Sequence, residues 1–79
     1  MNYRERILRG RHVVGGEPVF KGTRVTLKTV LASLAEGATT AEILADFPTL
    51  SEEDVRAAIV FAATSAQEDL PLAELPTKQ

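Results

Sequence analysis

The sequence predicts a mainly α domain, a three-helix bundle preceded by a short hairpin-like β segment, and three observations predict it. Helix-start residues recur at Thr26, Thr39 and Ser51, each followed by apolar residues at helical spacing. Before residue 26 the apolar residues fall instead in short runs broken by Gly-Gly and Lys-Gly turn signals. The chain has 79 residues and no Cys, which limits it to one small core without disulfides.

Tyr3 to Arg9 alternates charge around Ile7 and Leu8 and reads as a frayed turn or a short edge strand. His12-Val13-Val14 reads as a short strand, ended by Gly15-Gly16. Pro18-Val19-Phe20 is a second strand, with proline at its start, where the missing N–H is tolerated. Lys21-Gly22 is a turn in which Gly22 can take positive φ, and Thr23-Arg24-Val25 reads as a third extended piece. Strands this short need a partner, and the β segment of a second subunit is one.

Thr26 caps a first helix from Leu27 to about Glu36, with Leu27, Val30, Leu31, Leu34 and Ala35 at helical spacing and Gly37 as the stop. Thr39 and Glu42 form a capping box that opens a second helix to about Asp46, burying Ile43 and Leu44 and ended by Phe47-Pro48. Ser51 caps the last and longest helix, whose first turn carries Glu52, Glu53 and Asp54. Its expected apolar stripe is Val55, Ala58, Ile59, Ala62 and Ala63, running to about Gln67. Residues 1–67 thus form a single domain, a basic β segment over 1–25 and the bundle over 26–67, and 68–79 form a C-terminal tail. The second and third helices have helix-turn-helix spacing.

The formal net charge of −2 hides an asymmetry. Residues 1–28 hold seven basic side chains against two acidic ones, and residues 29–79 hold two against nine. Arg4, Arg6, Arg9, Arg11, Lys21 and Lys28 are therefore candidate phosphate contacts for DNA. The alternative is that the two ends attract each other within one fold or across a dimer. The third helix is a poor reader of bases, because acids fill the first turn that would face the groove and Arg56 is its one basic residue.

No apolar run is long enough to span a bilayer, and the polar, Arg-rich N-terminus lacks the apolar stretch of a secretory signal, so a cytoplasmic protein without membrane contact is expected. A lone His leaves little material for zinc, and neither it nor Ser33, Ser51 or Ser65 has a partner at catalytic spacing. The expectation is a non-enzymatic binding module without cofactor or metal. With disulfide and metal staples missing, oligomerisation is the remaining way to stabilise so small a core.

The most distinctive run is Gly15-Gly16-Glu17-Pro18-Val19-Phe20-Lys21-Gly22-Thr23-Arg24-Val25. It is not a phosphate loop, since no Gly-Lys-Ser/Thr opens a helix after it. Its content is backbone geometry from Gly16, Pro18 and Gly22, then Thr23 and Arg24. Arg24 has two readings, a fold-locking pair with a carboxylate such as Glu17, which is favoured, or a phosphate contact.

This run resembles the G-x-P-x-x-x-G-T-R signature of the bacterial domain-of-unknown-function family 433. The helical half is similar as well, in Leu34-Ala35-Glu36-Gly37, Glu42-Ile43-Leu44, Phe47-Pro48 and Leu50-Ser51-Glu52-Glu53-Asp54-Val55. The resemblance implies a short β part followed by a homeodomain-like bundle. It further implies an antitoxin of a type II toxin–antitoxin pair, with a PIN-like ribonuclease toxin as partner. To that reading the basic end adds operator DNA for autoregulation, and the small unstapled core adds a homodimer or higher oligomer. On that reading Leu70, Leu72, Glu74 and Leu75 of the tail are candidate toxin-binding residues, the leucines filling apolar pockets on the partner. Alternatively they fold back on the end of the third helix. A stand-alone DNA-binding regulator and a non-catalytic oligomerisation module are the rival functions.

Overall fold

A computed structural model describes residues 3–9 and 14–67 of the chain. After a 3-10 turn at Tyr3–Glu5 comes strand β1, Ile7–Arg9, which pairs antiparallel with β2, Pro18–Phe20, in the register Ile7 with Phe20, Leu8 with Val19 and Arg9 with Pro18. Three helices follow, α1 at Leu27–Ala35, α2 at Thr40–Asp46 and α3 at Glu52–Ala66. The architecture is mainly α with a short N-terminal β segment, as the sequence predicts.

All three helix starts are made by the expected residues. Thr26 accepts from the Thr29 N–H. Thr39 and Glu42 complete a reciprocal capping box, and Ser51 and Asp54 form another. Each box satisfies two backbone donors that the helix itself leaves unpaired. Gly37 follows α1 at φ 97°.

The sequence reads the stretch from His12 to Val25 as a small β-meander or a pair of turns, and among its described residues Pro18–Phe20 alone is a strand. Val14 opens a tight turn, Val14–Gly16, rather than ending a strand, while His12 and Val13 lie outside the described residues. The partner of β2 is instead the Ile7–Arg9 segment. Thr23-Arg24-Val25 is not a strand either. Thr23 Oγ1 donates to the Phe20 carbonyl at 2.9 Å and accepts from the Val25 N–H at 3.0 Å, and the Phe20 N–H donates to the Val25 carbonyl at 3.1 Å. These bonds close a tight loop that a longer ladder cannot occupy, and only Thr26 bridges back to Val19. Gly22 sits in this loop at φ 79°, a conformation costly for any residue with a Cβ.

One core joins the segments. Phe20, Leu27, Val30, Ile43, Leu50, Val55 and Ala58 are buried together, with Ile7, Leu31, Leu34, Phe47 and Phe61 partly buried against them. Leu44 is half-buried, against the expectation of burial. On α3 the buried face is Asp54, Val55, Ala57 and Ala58, whereas Ile59 is 45% exposed and Ala63 is also exposed. The expected stripe is thus rotated toward Ala57 because α3 is covered from two sides, by α1 and α2 and by the N-terminal turn.

Candidate functional site: a charge-divided surface around an apolar groove

The N-terminal turn is strapped along α3 at two points. Tyr3 and Phe61 meet edge to face with ring centroids 5.9 Å apart. Seven residues earlier on α3, Arg6 Nη1 donates to Asp54 Oδ1 at 3.0 Å and Nη2 to Glu53 Oε1. Asp54 is buried, and its other oxygen, Oδ2, accepts from the Ser51 N–H at 3.0 Å. One carboxylate therefore closes the capping box of α3 and anchors the chain's N-terminal end to it. Arg6, grouped in the sequence reading with the DNA-contacting cations, is engaged within the fold, because the acids of α3 lie within reach of its guanidinium. Sequence reasoning assigns Asp54 to the helix dipole alone and does not reveal this role. The available signal was the pairing of an arginine-rich end with the Glu-Glu-Asp run.

The other candidates separate into groups. Arg4, Arg9 and Lys21 are exposed on the β half, with Lys21 beside Glu5 and Arg6 at a shallow hollow. Arg24 is exposed on the loop after β2, and the expected pair with Glu17 is not formed among the described residues. The reason lies in the loop itself, which Thr23 closes through backbone bonds without help from Arg24. Gly16 has φ 84° just before β2, and Pro18 begins that strand, so Gly16, Pro18 and Gly22 act through backbone geometry, whereas Thr23 acts through its hydroxyl. Arg11 and the tail residues Leu70, Leu72, Glu74 and Leu75 lie outside the described residues.

Lys28 stands apart from the other cations, on α1 at the rim of an apolar groove of about 460 Å³. Pro18, Leu27, Leu31, Ala32 and Phe61 line this groove, and Glu17 shares the rim. At the opposite end of α1, Glu36, Glu42 and Asp46 line an acidic hollow of about 530 Å³. Among the described residues no group of His, Cys, Asp and Glu side chains is arranged to hold a metal. No helix among them is long and apolar enough to cross a membrane.

A two-stranded β segment docked on three capped helices, with exposed cations on the β half and acids on the helical half, defines a small mainly α fold. The chain matches the family described as protein of unknown function, DUF433, over residues 7–62, and belongs to it. It is similar to a DUF433 member protein from Anabaena variabilis ATCC 29413 whose crystal structure is known. That likeness has a TM-score of 0.71 and 30% identity, covering 81% of this chain and 63% of that one. It is also 37% identical over 59 residues to the uncharacterized protein y4eO of Sinorhizobium fredii (strain NBRC 101917 / NGR234). That match takes in 75% of this chain but only 27% of the relative, so the chain spans about a quarter of that protein's length.

Proposed function

We propose that the protein is the antitoxin of a type II toxin–antitoxin pair, a non-catalytic cytoplasmic oligomer that neutralises a PIN-like ribonuclease and contacts operator DNA. The observation that best supports this reading is the division of surface charge. Arg4, Arg9 and Lys21 are exposed on the β half, while Glu42 and Asp46 share one hollow on the helical half. A ribonuclease presents positive surface to its RNA, and an acidic face covers such a surface by taking the place of the substrate's phosphates. Arg9 and Lys21 supply phosphate contacts with an operator, and Arg11 belongs to the same basic stretch of the sequence. Leu70, Leu72, Glu74 and Leu75 supply the toxin-directed segment, three apolar anchors around an acid.

Co-expression with a PIN-like ribonuclease, followed by purification through a tag on the nuclease and an RNA-cleavage assay, tests the reading. The expected result is a stoichiometric complex in which cleavage is suppressed and from which cleavage returns when the protein is stripped away. A nuclease that purifies alone and cleaves RNA equally well with the protein added overturns it.

A further inference from the structure

Helix α1 carries its charges against its own dipole. The other two helices open with acids, Glu42 on α2 and Glu52, Glu53 and Asp54 on α3, which suits the partial positive charge of a helix N-terminus. α1 has no acid in its first turn and no base in its last. Instead Lys28 occupies its second position and Glu36 is its C-cap residue. Neither is in an ion pair among the described residues.

Lys28, Ala32 and Glu36 are all exposed and lie at successive four-residue steps, so they form a single ridge about 12 Å long with Ala32 at its centre. Along the Lys28 half of the ridge lies the apolar groove, lined also by Pro18, Leu31 and Phe61. An exposed ridge with a small residue in the middle and opposite charges four residues away on either side is complementary to itself.

We propose that this face binds a second copy of the chain, α1 against α1 and antiparallel, about a two-fold axis passing beside Ala32. In that arrangement Lys28 of each copy lies opposite Glu36 of the other, so both charges that oppose their own helix dipole gain a counter-charge, twice over. Each positive helix end also meets a negative one. The methyl of Ala32 at the axis lets two four-residue ridges interdigitate at close approach. Leu31 and Phe61 of both copies leave water together. A two-fold contact uses the same patch on both partners and closes, giving a dimer rather than a filament. The proposal gives the oligomeric part of the reading above a location and depends on neither the ribonuclease nor the operator, because its test uses the chain alone.

Sedimentation equilibrium of the full-length protein at micromolar concentration should give twice the chain mass of 8.5 kDa. Ala32→Glu, which sets two carboxylates against each other at the axis, should raise the dimer dissociation constant at least about tenfold with helical circular dichroism unchanged. Lys28→Glu and Glu36→Lys should each weaken the dimer by about tenfold, and less so in high salt, since each places like charges opposite at two points. The double variant K28E/E36K restores opposite charges and should return to within about threefold of the parent, a coupling that only direct pairing produces. If Ala32→Glu loses helicity, the charge-swap series decides alone. A parent protein of 8.5 kDa overturns the proposal and leaves the groove to another occupant, residues 68–79 or the nuclease. A dimer indifferent to both charge swaps overturns it as well.

Discussion

Asp54 shows how much one side chain can connect in so small a core. It is 5% exposed, holds the Ser51 N–H through one oxygen and Arg6 through the other, and so ties the start of α3 to the start of the chain. Asp54→Ala removes half a capping box and a charge-assisted bond together. It should cost about 2–3 kcal/mol in urea unfolding. Glu53 also receives Arg6 but is mostly exposed, and Glu53→Ala should stay within about 0.5 kcal/mol of the parent. Equal losses for the two variants would show that the buried carboxylate is not the anchor. Gly22 works through conformation alone. A Cβ there meets no atom within 4 Å, so the penalty for Gly22→Val comes from φ 79° and not from crowding. It should be about 1–3 kcal/mol. Unfolding at the parent's urea concentration would mean that the Phe20–Val25 loop relaxes without the left-handed residue.

At the scale of elements, what could be read from sequence was what neighbouring residues decide. Thr26, Thr39 and Ser51 each bond to a backbone donor three residues on, so the helix starts follow from a four-residue window. Ser51→Ala should accordingly lower stability by about 0.5–2 kcal/mol, again by urea unfolding. It also leaves Asp54 Oδ2 with the backbone N–H but without the hydroxyl at 3.3 Å, which favours the upper half of that range. A variant as stable as the parent would show that water caps α3 equally well. What could not be read was set by distant partners. Val14 has strand propensity, yet β2 pairs with Ile7–Arg9 across the intervening segment. The turn signals between them do not say which short run pairs with which. Thr23-Arg24-Val25 is β-branched enough for a strand, but the Thr23 hydroxyl bonds locally to Phe20 and Val25 and closes a loop instead. The face of α3 was misplaced by the same kind of effect. Periodicity gives one stripe, whereas a helix covered by the bundle on one side and by Tyr3 and Arg6 on another buries Ala57 and exposes Ile59. Of the candidate site, the charge division was legible from residue counts alone, and the groove was not, since Pro18, Leu31 and Phe61 come from three separate elements.

Across the whole molecule the cations no longer act as one set once the chain is folded. Arg6 is spent on α3 and Lys28 lies at the groove on α1, while Arg4, Arg9 and Lys21 remain exposed on the β half. This sorting makes a prediction about DNA that the sequence could not make. If the β half meets an operator, affinity should fall linearly on a log–log plot against salt, with a slope of about −0.9 per phosphate neutralised. Replacing Arg9 and Lys21 by Gln should make that slope shallower by about 2, one unit for each lost contact. Lys28→Gln should leave the slope of each bound protomer unchanged, because Lys28 belongs to α1 at the apolar groove rather than to the β1–β2 hairpin. Arg6→Gln is the informative control. It should lower folding stability by loosening the N-terminal turn from Asp54, yet alter the salt slope little at temperatures where the variant stays folded. Fluorescence anisotropy on a promoter fragment, read across a salt series beside circular dichroism of the same samples, separates these outcomes. A slope that responds to Lys28 or Arg56 but ignores Arg9 and Lys21 would move the nucleic-acid surface to the helices. That result would contradict the acids of α3, which phosphate must avoid. A promoter bound with the full slope when no nuclease is present would favour a regulator that acts alone over an antitoxin whose grip on DNA depends on its toxin.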